Sequence, residues 1–230
     1  MKDASGSWEF AFVAATQNNL LKPRKQPVQA RSEATVSAIF EATVQVLLAA
    51  GYRKMTTTRV AERAGVSVGT LYQYFPNRRA LIAAVIERHL EQTASLVERD
   101  CRALAGQSLD EITVGLVEAI IEAKCQRIEV SRAMQEPLAD IDGVTLVKAA
   151  ANKAAALFAE ILTSCRDAAF DDVHRVAFLI VTSCRSLLQS AIVDRASAPD
   201  MAALRTHMRA MVHGYLKEMR RAPAGLPVAT

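Results

Sequence analysis

Cysteine and histidine are scarce in this chain, and the patterns that mark many enzymes are missing. The four cysteines and four histidines show no C-x-x-C pair and no spacing typical of metal ligands. A nucleophile motif and a glycine-rich phosphate loop are also missing, which argues against an enzyme and against a bound cofactor. The cysteines are therefore predicted to be buried thiols of a reducing cytoplasm. A redox-sensing pair is the alternative, although no neighbouring residue marks a reactive thiol.

No long hydrophobic run is free of polar residues. The most apolar stretch, residues 176–193, approaches membrane-spanning length but contains Arg185 and Gln189, so it predicts a buried interface helix and no membrane partner. Near the N-terminus, the apolar patch 10–15 is too short for a signal sequence. Residues 1–30 are instead predicted to be a flexible extension, and residues 223–230 a disordered tail.

Glycine and proline are few, nine and seven in 230 residues, and they fall mostly between periodic stretches. Helix formers dominate and no strand hairpin is recognisable, so the predicted fold class is all-α. The first four helices are predicted to begin at Ser32, at a threonine run at 56–58, at Ser67 and at Asn77. The fourth is predicted to run to about residue 105. A capping box at 108–111 opens a fifth, and later helices are predicted over about 144–167, 171–195 and 199–220.

Positive charge is concentrated in the first part of the chain. Residues 22–88 contain eleven Lys or Arg and four acids, a net charge of +7 against +4 for the whole chain, so the remainder is −3. A basic N-terminal module on a mildly acidic body is typical of a protein that binds a polyanion. Four basic residues at the start of this module form either an arm that contacts DNA or a disordered tail, and the sequence leaves both open. They are Lys22, Arg24, Lys25 and Arg31.

The stretch from Arg59 to Tyr74 has the pattern of a helix-turn-helix. Ala61 is the small residue where the two helices touch, and Gly65 supplies the turn. Apolar residues that lock the two helices together fill the remaining positions: Val60, Ala64, Val66, Leu71 and Tyr74. The complete set, with caps on both helices and a basic surrounding module, predicts that this region binds DNA.

Residues 55–81, MTTTRVAERAGVSVGTLYQYFPNRRAL, resemble the DNA-binding domain of the TetR (tetracycline-repressor-like) transcriptional regulators. The resemblance is specific over roughly residues 31–89 and only architectural beyond. It implies an N-terminal three-helix domain with a helix-turn-helix at 31–88, linked by a long fourth helix to a helical effector-binding and dimerisation domain at 89–222. It also implies a homodimer, usually a repressor, that binds a palindromic operator and is released by a small molecule.

The third helix is expected to present its N-terminal turn to the major groove. Hydroxyls there reach base edges or phosphates, a valine touches a thymine methyl, and a glycine lets the backbone approach. Two arginines that begin the fourth helix are candidates for clamping the DNA backbone. The predicted DNA-binding residues are Thr57, Thr58, Arg59, Ser67, Val68, Gly69, Thr70, Tyr72, Tyr74, Arg78 and Arg79.

The last two predicted helices suggest how two copies associate. Methionines and other apolar residues recur at three- and four-residue steps in the final helix, and the helix before it is apolar on nearly every side. A four-helix bundle built from two copies covers both, whereas a monomeric core is the alternative. The predicted interface residues are Leu187, Met201, Leu204, Met208, Met211 and Tyr215.

The effector is the least determined part of the prediction. Apolar residues of the middle helices are candidates for a cavity lining, although such residues are more often plain core: Met134, Phe158, Leu162, His174 and Phe178. The absence of a charged cluster favours an apolar or amphipathic molecule. A DNA-binding protein without a small effector, controlled by a protein partner or acting architecturally, is the alternative, and a filled core would favour it.

Overall fold

The computed structural model describes residues 30–193 and 198–221, which fold almost entirely into helices and confirm the all-α prediction. The predicted tail at 223–230, and the predicted extension and arm up to residue 29, lie outside the described residues. A short 3-10 turn, Tyr52–Lys54, precedes the second helix. The helices are α1 (Ala30–Ala50), α2 (Thr57–Ala64), α3 (Val68–Tyr74), α4 (Arg78–Arg102), α5 (Leu109–Cys125), α6 (Ile128–Ala133), α7 (Gln135–Asp140), α8 (Val144–Thr163), α9 (Val173–Val193) and α10 (Ala198–Met219).

The first three helices form a small core of their own, which we call the head. Thr56 and Ser67 cap α2 and α3 by accepting hydrogen bonds from the backbone N–H groups of Arg59 and Thr70, as their positions in the sequence predict. Gly65 ends α2 with a φ of 68°, a left-handed conformation that glycine adopts without strain. The largest side chains buried in the head are Ile39, Met55, Leu71, Phe75, Leu81 and Ile82.

The prediction that Ser32 caps the first helix is wrong. α1 already includes Ala30, so Ser32 lies inside the helix. Its hydroxyl instead accepts a hydrogen bond from Tyr74 Oη at 3.3 Å. The choice between neighbouring cap positions depends on this packing against α3, which periodicity along α1 does not reveal.

Helix α4 belongs to both halves of the molecule. Asn77 caps it by accepting a hydrogen bond from Ala80 N at 2.8 Å. The first turns, including Leu81 and Val85, are buried in the head, whereas Cys101 near the other end lies in the core of the body. A displacement of α4 in the body therefore moves the head.

The body is a bundle of α5, α8, α9 and α10 with the second half of α4. α5 begins at the predicted capping box, in which Ser108 and Glu111 each accept a hydrogen bond from the other's backbone N–H. Residues at three- and four-residue steps face the common core, as in an amphipathic helix; on α10 they are Met208, Val212 and Leu216, all fully buried.

The predicted break between α5 and α8 contains two short helices, α6 and α7. Pro137 lies within α7 rather than in a loop, at a position near its start where proline is tolerated. Met134 and Ile141, at either end of α7, are buried in the core of the head. The connection from α5 to α8 therefore packs against the DNA-binding helices.

A short antiparallel pairing joins the end of the chain to the body. Ala169 pairs with Arg221 and Phe170 with Arg220, and the Arg221 guanidinium contacts the Asp171 carboxylate at 2.5 Å. This pairing was not predicted from the sequence, because two-residue strands carry too little periodicity to recognise.

Two helices in the described ranges are long and apolar enough to cross a membrane, α1 over residues 32–50 and α9. Core helices of globular proteins pass the same test of length and composition. Each helix buries one face in a protein core, with Ile39 and Leu47 on α1 and Ala177, Cys184 and Leu188 on α9. That packing accounts for the apolar residues on the buried faces.

Candidate nucleic-acid interface and adjoining cavity

The outer face of α3 carries most of the predicted DNA-binding residues. Ser67, Gly69 and Tyr72 are exposed, and Val68 and Thr70 are half-buried. At Gly69 an added Cβ would meet only the Ser67 hydroxyl, at 3.6 Å, so the backbone there is open to a close approach by DNA. This arrangement fits the N-terminal end of a recognition helix that enters the major groove.

Two hydroxyl pairs hold the polar groups of this face in place. The hydroxyls of Ser67 and Thr70 lie 2.9 Å apart, and those of Thr57 on α2 and Tyr72 on α3 lie 3.1 Å apart. The second pair links the two helices of the motif on their exposed side. The contact with Thr57 therefore holds the Tyr72 side chain in one position on the exposed face.

The other predicted α2 residues flank this face. Thr58 and Arg59 are exposed. The Arg59 guanidinium donates a 3.1 Å hydrogen bond to the Lys54 carbonyl, which holds it near the start of α2. Thr57 thus contacts α3 through Tyr72, whereas Arg59 is held at the start of α2. Contacts of the three residues with DNA stay a prediction.

Tyr74 does not share the exposed face. Its side chain is 9% exposed, its hydroxyl is directed to Ser32, and its ring packs near Phe75 with centroids 6.5 Å apart. The structure therefore places Tyr74 in the core of the head, away from DNA, and corrects its inclusion among the DNA-binding residues.

The two arginines at the start of α4 occupy different environments. Arg78 donates a 2.7 Å hydrogen bond to the Tyr52 carbonyl, and its guanidinium carbon lies 4.0 Å from the centroid of the Tyr52 ring. Its side chain thus braces the 3-10 turn. Arg79 is exposed, and its nearest acid is Asp140 at 3.8 Å. Of the two, Arg79 is the better placed to reach a DNA phosphate.

A cavity of about 720 Å³ lies in the body between α4, α5, α8 and α9. Its volume is within the range of small-molecule sites. The wall is mainly apolar, and the small side chains of Ala150, Ala151 and Ala154 on α8 leave room within it. The α4 residues that line it run from Glu87 to Arg102, directly after the turns of α4 that are buried in the head.

Comparison with known proteins identifies the fold and the helix-turn-helix. A sequence model described as bacterial regulatory proteins of the tetR family matches residues 39–85, and one described as a tetracyclin repressor-like C-terminal domain matches residues 108–216. Together they cover more than half of the chain. The chain belongs to the TetR family.

Individual relatives agree with that assignment. The transcriptional repressor KstR of Mycolicibacterium smegmatis is 40% identical over 68 residues, which are 30% of this chain and 32% of that repressor. KstR of Mycobacterium tuberculosis is 26% identical over 166 residues, 71% of this chain and 74% of that protein. The chain spans about a third of the length of the first two curated relatives it matches, 34% and 32%.

Among solved structures, a putative TetR-family regulator from Mesorhizobium loti superimposes with a TM-score of 0.67 at 17% identity, over 83% of this chain and 98% of that one. At this level of identity the match shows the fold alone. TetR-family proteins are DNA-binding transcription regulators, and both matched regions of this chain belong to that family.

Most of the five residues that the sequence predicted to line an effector cavity do not line the cavity in the body. Of the five, only Phe158 lines it. Met134 is buried in the head and Leu162 in the body core, while His174 and Phe178 are exposed. Helical periodicity identifies residues that point inward, but it cannot distinguish a filled core from a cavity wall.

The residues predicted to form the dimer interface also lie in different environments. Met208 is fully buried in the protomer's own core, and Met201, Leu204 and Tyr215 pack against that core while half-exposed. Leu187 and Met211 remain exposed. Met208 therefore belongs to the protomer's own core and Met201 packs against it, whereas Met211 stays exposed. A seam between helices of one protomer has the same periodicity as one between two protomers.

Among the cavity-lining residues that the sequence prediction missed are two half-buried cations, Lys124 and Arg185. Each sits in an apolar stripe that faces the cavity: Leu116, Ile120 and Lys124 on α5, and Val181, Arg185 and Leu188 on α9. A basic residue at the same helical spacing as buried apolar residues is the sequence feature by which they could have been identified. Arg185 was noticed in the sequence only as an interruption of an apolar run.

Proposed function

We propose that this TetR-family regulator is a homodimeric repressor that binds a palindromic operator through α3 and is released by a small molecule bound in the body. The observation that carries this proposal is the position of α4. One part of this helix lines the cavity and the part before it is buried in the head. A ligand that favours one position of α4 over another changes the affinity for DNA by the same differential free energy.

The cavity also separates this proposal from its alternative. A regulator without a small effector needs no space in its body, and a filled core was expected for it. A volume of about 720 Å³ among apolar side chains, next to the helix that leads to the head, supports an effector.

The exposed faces of α9 and α10 support a dimer. On α9, Leu179, Leu187 and Val193 are exposed although large and apolar, and on α10 so is Met211. A second copy is a suitable cover, because monomeric proteins rarely expose apolar groups in one area. The serines and small residues beside them let helices approach closely; they are Ser183, Ser186, Ser190, Ala203, Ala210 and Gly214.

Repression and a cytoplasmic location complete the proposal. The KstR relatives are named as transcriptional repressors, which favours repression over activation here. A protein that acts on a bacterial operator works in the cytoplasm, and the free thiols of Cys101, Cys125, Cys165 and Cys184 fit a reducing compartment.

Selection of bound sequences from random duplex DNA tests the proposal. We expect a palindromic motif with half-sites centred about one helical turn apart or a little more. The Thr70→Ala variant is expected to change the preferred bases, whereas Thr206→Ala, an exposed threonine on α10, serves as the matched control. Salt-sensitive binding without any motif would replace the specific repressor by an architectural DNA-binding protein.

A further inference from the structure

Four basic side chains line the largely apolar cavity. Arg102 pairs with Glu98 and Lys153 is exposed, whereas Lys124 and Arg185 are half-buried. Lys124 is at the end of the α5 stripe and Arg185 in the middle of the α9 stripe that line it. Both line the same cavity, and burial, followed by the positive charge of Arg185, lowers the pKa of Lys124. The two helices therefore bring like charges together at one place in the cavity.

No counter-ion from the described part of the chain accompanies this pair. Within residues 30–193 and 198–221, neither Lys124 nor Arg185 takes part in an ion pair, and Arg185 Nε is buried without a hydrogen-bond partner. Burying unpaired cations beside each other is unfavourable, and folded proteins normally pair or hydrate such groups. A pair left in this state in a cavity is complementary to an anion.

Acidic residues around the cavity do not neutralise the pair. Glu87, Glu91 and Glu160 line the cavity but are exposed, and none contacts Lys124 or Arg185. Glu98 pairs with Arg102, one turn along α4. Among the described residues, none of these carboxylates therefore pairs with Lys124 or Arg185.

We propose that the cavity binds an amphipathic anion, whose carboxylate or phosphate head group lies between Lys124 and Arg185 and whose apolar body packs against α8. This rests on the proposed function of the cavity as the effector site and names the chemical class of the effector. A guanidinium and an ammonium form strong, charge-assisted hydrogen bonds to carboxylate and phosphate oxygens. The alanines of α8 with Leu157 and Phe158 supply the apolar surface.

Binding of matched single-chain amphiphiles to the purified full-length protein tests the assignment. The probes are dodecanoate, dodecyl phosphate, dodecanol and dodecyltrimethylammonium, each measured by calorimetry below its micelle concentration. We expect one or both anions to bind at least about tenfold more tightly than the alcohol, as the loss of a charged hydrogen bond predicts, and the cation to bind most weakly. The better anion distinguishes a carboxylate effector from a phosphate one.

Variants of the two cations locate the head group. Lys124→Met and Arg185→Met are expected to remove the preference for the anion while keeping the affinity for dodecanol, and Lys124→Arg to retain it. Lys148→Met, on the exposed side of α8, is the matched control. Because Lys124→Met also removes the repulsion between two half-buried cations, the ligand-free variant should melt at a temperature equal to or higher than that of the wild type.

The outcomes for the effector class and for the proposed function are separable. Equal binding of alcohol and anion, no binding of any probe, or an anion preference that survives both methionine variants overturns the anion site. Operator release is then measured separately with the bound anion. An anion that binds through Lys124 and Arg185 without changing operator affinity supports the site, whereas it counts against release by an effector.

Discussion

The Tyr52 hydroxyl donates a 2.7 Å hydrogen bond to Asp140 Oδ2, joining the turn before α2 to the end of α7. Burial and this hydrogen bond raise the pKa of Tyr52 to about 12, so the hydroxyl keeps its proton at neutral pH. Arg78 stacks on the other side of the contact, over the Tyr52 ring. The α6–α7 connection, which leads directly to the cavity wall on α8, is thereby fastened to the DNA-binding helices.

A double-mutant cycle measures this contact. Tyr52→Phe and Asp140→Ala should each lower the free energy of unfolding, and their effects should be non-additive by about 1 kcal/mol, the usual net contribution of such a hydrogen bond. Urea unfolding of the four proteins gives the value. Tyr52→Phe combined with Glu136→Ala is the matched control, since Glu136 pairs instead with the exposed Arg53. Additive effects in the first cycle would show that the contact is not made in solution.

Arg79 and Arg78 are expected to respond differently to removal of their charge. Arg79→Met should weaken operator binding for all sequences and make the dependence of log Kd on log salt shallower by about one unit, as loss of one phosphate contact predicts. Arg78→Met removes the same charge but leaves the Tyr52 carbonyl and ring without their partner, so we expect a lower melting temperature. Binding titrations at several salt concentrations, with thermal melts, separate the two effects. A shallower salt dependence for Arg78→Met at unchanged stability would reverse the assignment.

Much of the head could be predicted from sequence because its signals are local. The caps Thr56, Ser67 and Asn77 and the turn glycine Gly65 act within a few residues of their own positions, and all four have the predicted roles. Whether a long side chain turns outward depends on packing between helices. Tyr74 and Arg78 were therefore expected at the DNA, whereas they contact Ser32 and Tyr52.

The cavity could not be predicted in the same way. It is a space left where four helices fail to fill the volume between them, and no single helix records that in its periodicity. The residues chosen for size and position, such as Leu162, fill the core. Lys124 and Arg185 differ from these residues, because a basic side chain at a position where apolar residues recur along a helix can be recognised in the sequence.

Acid should destabilise the protein partly through His89. Burial, followed by the charges of Lys124 and Arg127, lowers the pKa of His89 to about 4, below its ordinary value of 6.5. As the pH falls through 6.5, the unfolded chain takes up a proton that the folded chain binds only near pH 4, so stability is present at neutral pH and is lost across this window. The loss attributable to His89 is about 3 kcal/mol.

The His89→Gln variant isolates this effect. Glutamine can keep a hydrogen bond to Ser131, which contacts His89 Nε2 at 3.0 Å in the wild type, but it does not titrate. Urea unfolding at neutral pH and near pH 4 should show a smaller decline for the variant than for the wild type. His207→Gln, at an exposed position on α10, controls for the loss of a histidine as such. An identical decline in wild type and His89→Gln would contradict the assignment.

Gly214 offers a direct test of where two copies meet. It lies on the exposed face of α10, and an added Cβ there meets nothing within 4 Å in the protomer. Gly214→Leu should therefore fold, and replacing a helical glycine should even stabilise α10 by an amount approaching 1 kcal/mol. If a second copy packs on this face, the added side chain collides with it. We expect a monomer by light scattering, a circular dichroism melt no lower than that of the wild type, and loss of tight operator binding.

Ala202→Leu, also exposed on α10 but turned away from the stripe formed by Ala203, Ala210 and Gly214, should leave the dimer intact. A Gly214→Leu protein that stays dimeric and binds its operator normally would place the interface elsewhere, and a charge at Met208 would not serve as a substitute test, because that fully buried side chain belongs to the protomer's own core.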